Sequence, residues 1–249
     1  MRDYLILTCL MVFTTYNPLN ADCLDPDIYE NERSNLVDEL EKQGIHDQNI
    51  LTIFKYIKRH LFMPTTTWKQ AYENCPVPIG YGQTISQPYI VALMTEKLNV
   101  QPTDRILEVG TGSGYQAAIL AELAQHVYTV EIVPELAQRA EHALKEHGIR
   151  NVHVYTGDGY KGLPEKAPFD KIILTAAPEI VPEALKQQLK LGGLMIAPVG
   201  VQGDIQKLIL IERLSQNQFS ETTITDVRFV PMVKPAVTSS KQGEVNPGG

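Results

Sequence analysis

Hydrophobic residues recur at helical spacing in the first part of the chain. The spacing predicts helices over residues 31–43 and 47–61, with Gly44 as the stop between them. Residues 64–78 are irregular, and residues 80–87 form a loop of glycines and hydroxyl side chains. Pro88 is a favoured first helical residue and opens an apolar helix to about Leu98. The chain is therefore predicted to begin with a helical segment.

The pattern changes after this helix, because short β-branched runs alternate with helical patterns from residue 105 to residue 198. Such alternation predicts a doubly wound α/β fold, a parallel sheet with helices on both faces. Two more runs, 207–213 and 222–230, are joined only by a polar linker and predict antiparallel strands at the sheet edge. The predicted parallel strands are 105–109, 127–131, 152–156, 171–175 and 194–198, and the helices between them are 116–124, 134–147 and 182–189.

The two ends of the chain differ from its middle. Residues 1–21 have a short charged start, an apolar run and a polar end, which resembles a secretory signal, although an apolar extension packed on the domain is the alternative. The polar, Gly- and Pro-marked residues 237–249 predict a disordered tail. Between them we predict an N-terminal helical segment with its loop over 22–98 and the α/β core over 99–236.

Charge and metal-binding residue types exclude several classes of protein. A formal net charge of -7 argues against a large nucleic-acid footprint, because neutralising phosphates needs a basic face. Cys9, Cys23 and Cys75 show no zinc or redox spacing, and the histidines are expected at the surface without a second ligand, so no metal is predicted. If the first 21 residues direct export, Cys23 and Cys75 would be free to pair.

A glycine-rich turn follows the first predicted strand of the sheet. Residues 110–114 read Gly-Thr-Gly-Ser-Gly and precede a helix that begins near Tyr115. At such a turn the glycines allow a ligand close to the backbone, and the helix N-terminus offers free N–H groups. The dinucleotide pattern places its third glycine at the sixth position, where this chain has Tyr115. The turn is therefore a ligand loop, but not that of an NAD-binding protein.

Acidic residues end the next two predicted strands. Glu131 can accept both hydroxyls of a ribose, and Asp158, within Gly157-Asp158-Gly159, can accept from an exocyclic amine such as that of adenine. Each feature alone is more often a tight turn or a solvated side chain. Together with the glycine turn they stand at three successive strand ends, in the order that an adenosine requires.

These motifs resemble those of class I methyltransferases that use S-adenosylmethionine. More specifically, residues 78–88, Pro-Ile-Gly-Tyr-Gly-Gln-Thr-Ile-Ser-Gln-Pro, resemble the substrate loop of protein-L-isoaspartate O-methyltransferases. The resemblance covers about residues 31–234 and implies a Rossmann-like methyltransferase fold. Supporting matches are Thr175-Ala176-Ala177-Pro178, Gly192-Gly193 and Val227-Arg228-Phe229-Val230-Pro231.

The resemblance also implies an activity and a set of site residues. The expected reaction moves a methyl group from S-adenosylmethionine to the α-carboxylate of L-isoaspartyl residues in damaged proteins. Ser86 would be catalytic with Thr84 beside it, whereas a hydroxyl before a helix is otherwise more often a cap. The expected cofactor-binding residues are Glu108, Gly110, Thr111, Gly112, Gly114, Glu131, Asp158 and Gly159.

Several alternatives stay open at the level of sequence. The sequence lacks the usual motif of a nucleic-acid methyltransferase. A methyltransferase that acts on a small molecule is compatible with the residues, and so is a non-catalytic module with an adenosine pocket. The need for S-adenosylmethionine favours the cytoplasm, and a cleaved signal over residues 1–21 would instead make the protein periplasmic or secreted. We expect a monomer without a stable membrane span.

Overall fold

Residues 28–235 are described by the computed structural model. The predicted signal segment, residues 1–21, and the predicted disordered tail, residues 237–249, lie outside the described residues. Cys23 lies outside them as well, and so does the pairing with Cys75 that export would permit. Within the described part Cys75 is a partly buried free thiol.

The described residues contain six α-helices and nine strands. The helices are α1 (Glu30–Lys42), α2 (Gln48–Tyr56), α3 (Pro88–Leu98), α4 (Tyr115–Ala121), α5 (Pro134–Glu146) and α6 (Glu183–Gln188). The strands are β1 (Val77–Gly80), β2 (Gln83–Ile85), β3 (Arg105–Val109), β4 (His126–Glu131), β5 (Val152–Thr156), β6 (Phe169–Leu174), β7 (Leu189–Val199), β8 (Gln206–Arg213) and β9 (Phe219–Val227). Short 3₁₀ turns cover Arg59–Phe62, Thr65–Gln70, Gly159–Lys161 and Pro164–Lys166.

The second helix is shorter than its apolar pattern predicts. It begins where the Asp47 side chain accepts hydrogen bonds from the first free N–H groups. It ends at Tyr56 because Ile57 is extended, and a 3₁₀ turn then carries Arg59 and His60 into the interior. The prediction of a helix to residue 61 was wrong for that reason. The expectation of a surface position for His60 was also wrong, because its side chain is 3% exposed.

Seven strands form one mostly parallel sheet in the order β5-β4-β3-β6-β7-β8-β9. The chain runs outward from β3 to β5 and then returns to place β6 on the other side of β3. The carboxyl ends of β3, β4 and β6 therefore meet at one edge, where ligands bind in such sheets. β8 pairs antiparallel with β7, and β9 pairs antiparallel with β8, so the predicted α/β fold with antiparallel C-terminal edge strands is confirmed.

Two hydrophobic clusters cover the faces of this sheet. Consecutive residues such as Ile106 and Leu107 belong to opposite clusters, because side chains alternate across a strand. The larger cluster joins the sheet to α1 through α5 and to the β1–β2 hairpin, and the smaller one includes α6. The N-terminal helices therefore share one hydrophobic core with one face of the sheet.

Two negative findings concern the described residues 28–235. No helix among them has both the length and the apolar composition that crossing a bilayer requires. No three of their His, Cys, Asp and Glu side chains gather closely enough to hold a metal ion.

Candidate functional site

A cavity lies at the edge of the sheet where β3, β4 and β6 end. Its walls come from the glycine turn, the ends of β3 and β4, the hairpin β1–β2 and the segment after β9. Eight of the ten predicted site residues line it, namely Thr84, Ser86, Glu108, Gly110, Thr111, Gly112, Glu131 and Gly159. The fold thus brings together residues that are up to 75 positions apart, from Thr84 to Gly159.

Two predicted residues do not line the cavity. Gly114 precedes α4 with φ +85°, and a side chain there would place its Cβ 3.1 Å from that of Ala140. Gly114 therefore allows α4 to pack closely on α5. Asp158 caps the 3₁₀ turn after β5 by accepting a hydrogen bond from Tyr160 N. Its neighbour Gly159 does reach the cavity, where an added Cβ would lie 2.6 Å from Val109.

The glycine turn is anchored to the end of β6 by a threonine that the sequence analysis did not select as a site residue. Thr175 Oγ1 lies 2.5 Å from Gly110 O and 3.0 Å from Val109 O and donates to this pair of carbonyls. Gly110 has φ +101°, and a Cβ at this position would lie 2.4 Å from Thr175 Oγ1. Glycine is required here both by its backbone conformation and by the close approach of Thr175.

Glu131 holds the same turn from the other side. Its Oε2 accepts from Gly112 N at 2.8 Å, and its Oε1 accepts from Val133 N at 3.0 Å. Each carboxylate oxygen keeps further acceptor capacity. The side chain lines the cavity, so these oxygens can also accept from a ligand hydroxyl.

Glu108 is buried in the floor of the cavity. Its Oε2 accepts from Thr129 Oγ1 at 2.5 Å, and Thr129 Oγ1 also contacts Thr111 Oγ1 at 2.6 Å. Glu108 Oε1 is buried without a hydrogen-bond partner among the described residues. Burial raises the pKa of this carboxyl to about 8, with a further increase from the charge of Glu131, while the Thr129 hydrogen bond opposes the shift. At neutral pH Glu108 is therefore mostly protonated and uncharged.

The predicted hydroxyl loop is partly a β-hairpin. β1 and β2 pair through a turn in which Gly80, Tyr81 and Gly82 all have positive φ, and Arg139 Nη1 donates to Ile79 O at 2.9 Å. The hairpin leads directly to Ser86, before the first turn of α3. The residue at the N-terminus of α3 is Gln87, without a side-chain capping bond, so the structure does not support the capping interpretation of Ser86.

A second cavity, of about 410 Å³, adjoins the first. Thr84, Ser86, Thr175 and Val230 line both cavities, so the two hydroxyl residues of the hairpin stand where the cavities meet. The remaining wall of the second cavity is mixed apolar and charged, with Pro76, Gln87, Ile90, Ile205, Asp226, Val227, Arg228 and Phe229.

The segment after β9, residues 228–235, forms one wall of the first cavity. It runs alongside Ala177, which exchanges hydrogen bonds with Val230 and Met232. The buried Gln206 side chain binds both the N–H and the C=O of Phe229, and Tyr160 Oη donates to Met232 O. In the sequence, residues 228–231 of this segment are recognisable only by their resemblance to the family. Its role as a wall depends on long-range pairing that has no local signal.

Fold and site together define a class of protein, the S-adenosylmethionine-dependent methyltransferases with a Rossmann-like sheet. The family model described as protein-L-isoaspartate(D-aspartate) O-methyltransferase matches residues 31–236. The chain belongs to this family.

Relatives and solved structures agree with this membership. The chain is 49% identical over 200 residues to the protein-L-isoaspartate O-methyltransferase of Gloeobacter violaceus, covering 80% of this chain and 97% of that protein. It is 50% identical over 204 residues to that of Dictyoglomus thermophilum, covering 82% and 92%. A crystal structure from Plasmodium falciparum, described as such a methyltransferase in complex with S-adenosyl-L-homocysteine, has a TM-score of 0.72 and 26% identity, covering 82% and 99%.

The family membership confirms three predictions made from the sequence. The protein is an S-adenosylmethionine-dependent methyltransferase, its cofactor is S-adenosylmethionine, and its acceptors are isoaspartyl residues of proteins. The alternatives of a small-molecule methyltransferase and of a non-catalytic binding module are thereby set aside.

The raised pKa of Glu108 leads to a prediction about stability. Between about pH 4.5 and about pH 8 the folded protein keeps a proton on Glu108 that the unfolded chain has released. The free energy of unfolding of the wild type should therefore fall with rising pH relative to Glu108→Gln, by at most about 1.4 kcal/mol per pH unit. Urea unfolding of both cofactor-free proteins between pH 5 and 8 measures the difference.

An unchanged urea m-value in the variant serves as the control, because it shows that the denatured state has not changed. A difference between wild type and Glu108→Gln that is constant across this pH range would contradict the raised pKa.

Proposed function

We propose that Ser86 and Thr84 bind the α-carboxylate of the isoaspartyl acceptor, between a cofactor cavity and an acceptor cavity. The observation that supports this assignment is their position in the walls of both cavities. Neither hydroxyl makes a hydrogen bond within the described residues, so both donors are available to an anion. The acceptor peptide would occupy the second cavity.

The chemistry requires few groups from the protein. A carboxylate acceptor is ionised at neutral pH, so its oxygen can form the new ester bond without a general base. S-adenosylmethionine, when bound, supplies an electrophilic methyl group on a positively charged sulfur. The protein contributes by placing the carboxylate oxygen in line and by replacing water with fixed hydroxyl donors.

We assign the cofactor contacts to the residues of the first cavity. Glu131 would accept from the ribose hydroxyls, and the backbone of the glycine turn would face the methionyl end. The unpartnered and buried Glu108 Oε1 fits a polar group of a ligand, since a neutral carboxyl can donate or accept a hydrogen bond, which supports binding at this end of the cavity. Gly159, and Asp158 through its position beside Gly159, are assigned to the adenine.

The acceptor assignment is tested with paired peptides. They differ only in an aspartyl or isoaspartyl linkage, and transfer of a labelled methyl group is followed. We expect labelling of the isoaspartyl peptide only, since the normal linkage presents no free α-carboxylate. Equal labelling of both peptides would contradict the proposed specificity. Within the same assay Ser86→Ala should lower turnover by about tenfold to a hundredfold, because the carboxylate loses a fixed donor.

Ser215→Ala is the matched control for Ser86→Ala, since Ser215 is exposed in the β8–β9 connection. Both variants should keep wild-type affinity for S-adenosylmethionine and a wild-type melting temperature. Unchanged turnover in Ser86→Ala would remove Ser86 from the site.

Glu131→Ala should weaken S-adenosylmethionine and S-adenosylhomocysteine together, by about tenfold or more, since both ligands carry the same ribose. Isothermal titration measures both dissociation constants. Glu131→Gln keeps one acceptor oxygen and should lose less affinity. Equal affinity of Glu131→Ala and the wild type for both ligands would rule out the ribose assignment.

We also propose that the protein works in the cytoplasm, where S-adenosylmethionine is available. Residues 22–98 would contribute the substrate loop, and residues 99–236 would form the S-adenosylmethionine-binding core together with part of the wall of the second cavity. The amino terminus of the protein isolated from its native host tests the location, and a mature chain that starts at Asp22 would contradict it. The monomeric state and the lack of a nucleic-acid partner stay predictions.

A further inference from the structure

Arg59 is a fully buried cation next to Ser86, the residue that follows the β1–β2 hairpin. It is 0% exposed and sits in the 3₁₀ turn after α2. Its Nε donates to Ala71 O at 2.9 Å, and its Nη2 donates to Ser86 O at 2.8 Å. Its Nη1 is buried without a hydrogen-bond partner among the described residues.

Among residues 28–235 no carboxylate neutralises the charge of Arg59. Burial lowers its pKa to about 10, and the groups that partly offset the effect of burial are Tyr115, Cys75 and Tyr72. Burial raises the pKa of both the Tyr115 hydroxyl and the Cys75 thiol, so neither is negatively charged at neutral pH. Burying a cation without an anionic partner is costly, and such a cost is retained mainly where the charge has a use.

Arg59 also connects the two halves of the site. Its guanidinium lies 4.9 Å from the centroid of the Tyr115 ring, and Tyr115 is the first residue of α4, directly after the glycine turn. Through its hydrogen bond to Ser86 O, Arg59 also holds the residue that follows the β1–β2 hairpin. The Arg59 side chain thus fixes Ser86 relative to the start of α4.

We propose that Arg59 is a positioning residue for methyl transfer, which orients Ser86 through its carbonyl and stabilises the acceptor carboxylate with an unneutralised buried charge. The proposal rests on the assigned role of Ser86. Arg59 lines neither cavity, so its charge would act on a carboxylate bound to the Ser86 hydroxyl from behind that residue, whose carbonyl it contacts. The guanidinium itself is fully buried, so solvent screens its charge less than that of an exposed arginine.

The two contributions have different kinetic consequences. The negative charge of the acceptor disappears as the ester forms, so the charge of Arg59 stabilises the bound carboxylate more than the transition state and should act on acceptor binding. The hydrogen bond to Ser86 O orients a group that contacts the reacting carboxylate and should act on turnover. Charge and orientation can therefore be separated by substitution.

Arg59→Gln removes the charge and keeps a hydrogen-bond donor, whereas Arg59→Lys keeps the charge and loses the planar fork. The probes are an isoaspartyl peptide and the same peptide with its α-carboxylate converted to a carboxamide. Their dissociation constants are measured with S-adenosylhomocysteine bound, which prevents turnover. The wild type should prefer the carboxylate, and Arg59→Gln should lose at least about tenfold of that preference.

Arg59→Lys should keep most of the preference for the carboxylate and lose turnover at saturating peptide, by about tenfold. Affinity for S-adenosylhomocysteine confirms that each variant is folded. If Arg59→Gln does not fold, Arg59→Lys still decides, because wild-type turnover in that variant would overturn the positioning role.

Arg33→Gln is the matched control, since Arg33 is also a buried arginine of the N-terminal helices and hydrogen-bonds the carbonyl of Lys55. It should keep the wild-type preference for the carboxylate. A full preference in Arg59→Gln, no preference in the wild type, or an equal loss in Arg33→Gln would overturn the proposal. Unchanged turnover in Ser86→Ala instead refutes the role of Ser86, and the preference measurements distinguish the two failures.

Discussion

The turn between β3 and α4 depends on hydrogen bonds from two neighbouring strand ends. Glu131, at the end of β4, accepts a hydrogen bond from Gly112 N. Thr175, which directly follows β6, donates a hydrogen bond to Gly110 O. Because the glycines of the turn have positive φ, few other residues could follow this path. The turn positions α4, and Tyr115 at the start of α4 is the surface on which Arg59 packs. The β1–β2 hairpin is thus aligned with the glycine turn through the contacts of Arg59 with Ser86 and with Tyr115.

Three ionisable side chains of the site occupy different environments. Glu131 lines the cavity and is bonded to backbone N–H groups, which suits an acceptor for ligand hydroxyls. Glu108 is buried in the floor of the same cavity, and its raised pKa keeps it mostly neutral, so the site avoids two adjacent negative charges. Arg59 is buried next to Ser86, and its pKa of about 10 keeps it positively charged at neutral pH. Because the reaction neutralises a carboxylate and a sulfonium without a proton transfer, these side chains act through binding and placement of the reactants.

Much of the fold follows from local patterns. The predicted bounds of β3 and β5 agree with the observed strands, and α3 begins at Pro88 as predicted. These elements have short apolar runs or a clear start signal, so their limits depend on neighbouring residues. The end of α2 was missed, because its apolar spacing continues while Ile57 turns the chain so that Arg59 and His60 enter the core. Burial against Tyr72 and Tyr115, which are distant in sequence, outweighs the local helical preference.

The sequence by itself determined the α/β alternation, the glycine turn and the acidic strand ends, because each depends on spacing within a few residues and on backbone chemistry. Family membership could also be inferred from residues 78–88, since that loop carries several specific residues in order. Only the tertiary structure decided that Thr175 and the segment after β9 belong to the site and that Gly114 packs helices. It also placed an unneutralised Arg59 behind Ser86. These features depend on contacts between distant segments, and local spacing carries no record of which side chains meet across the core.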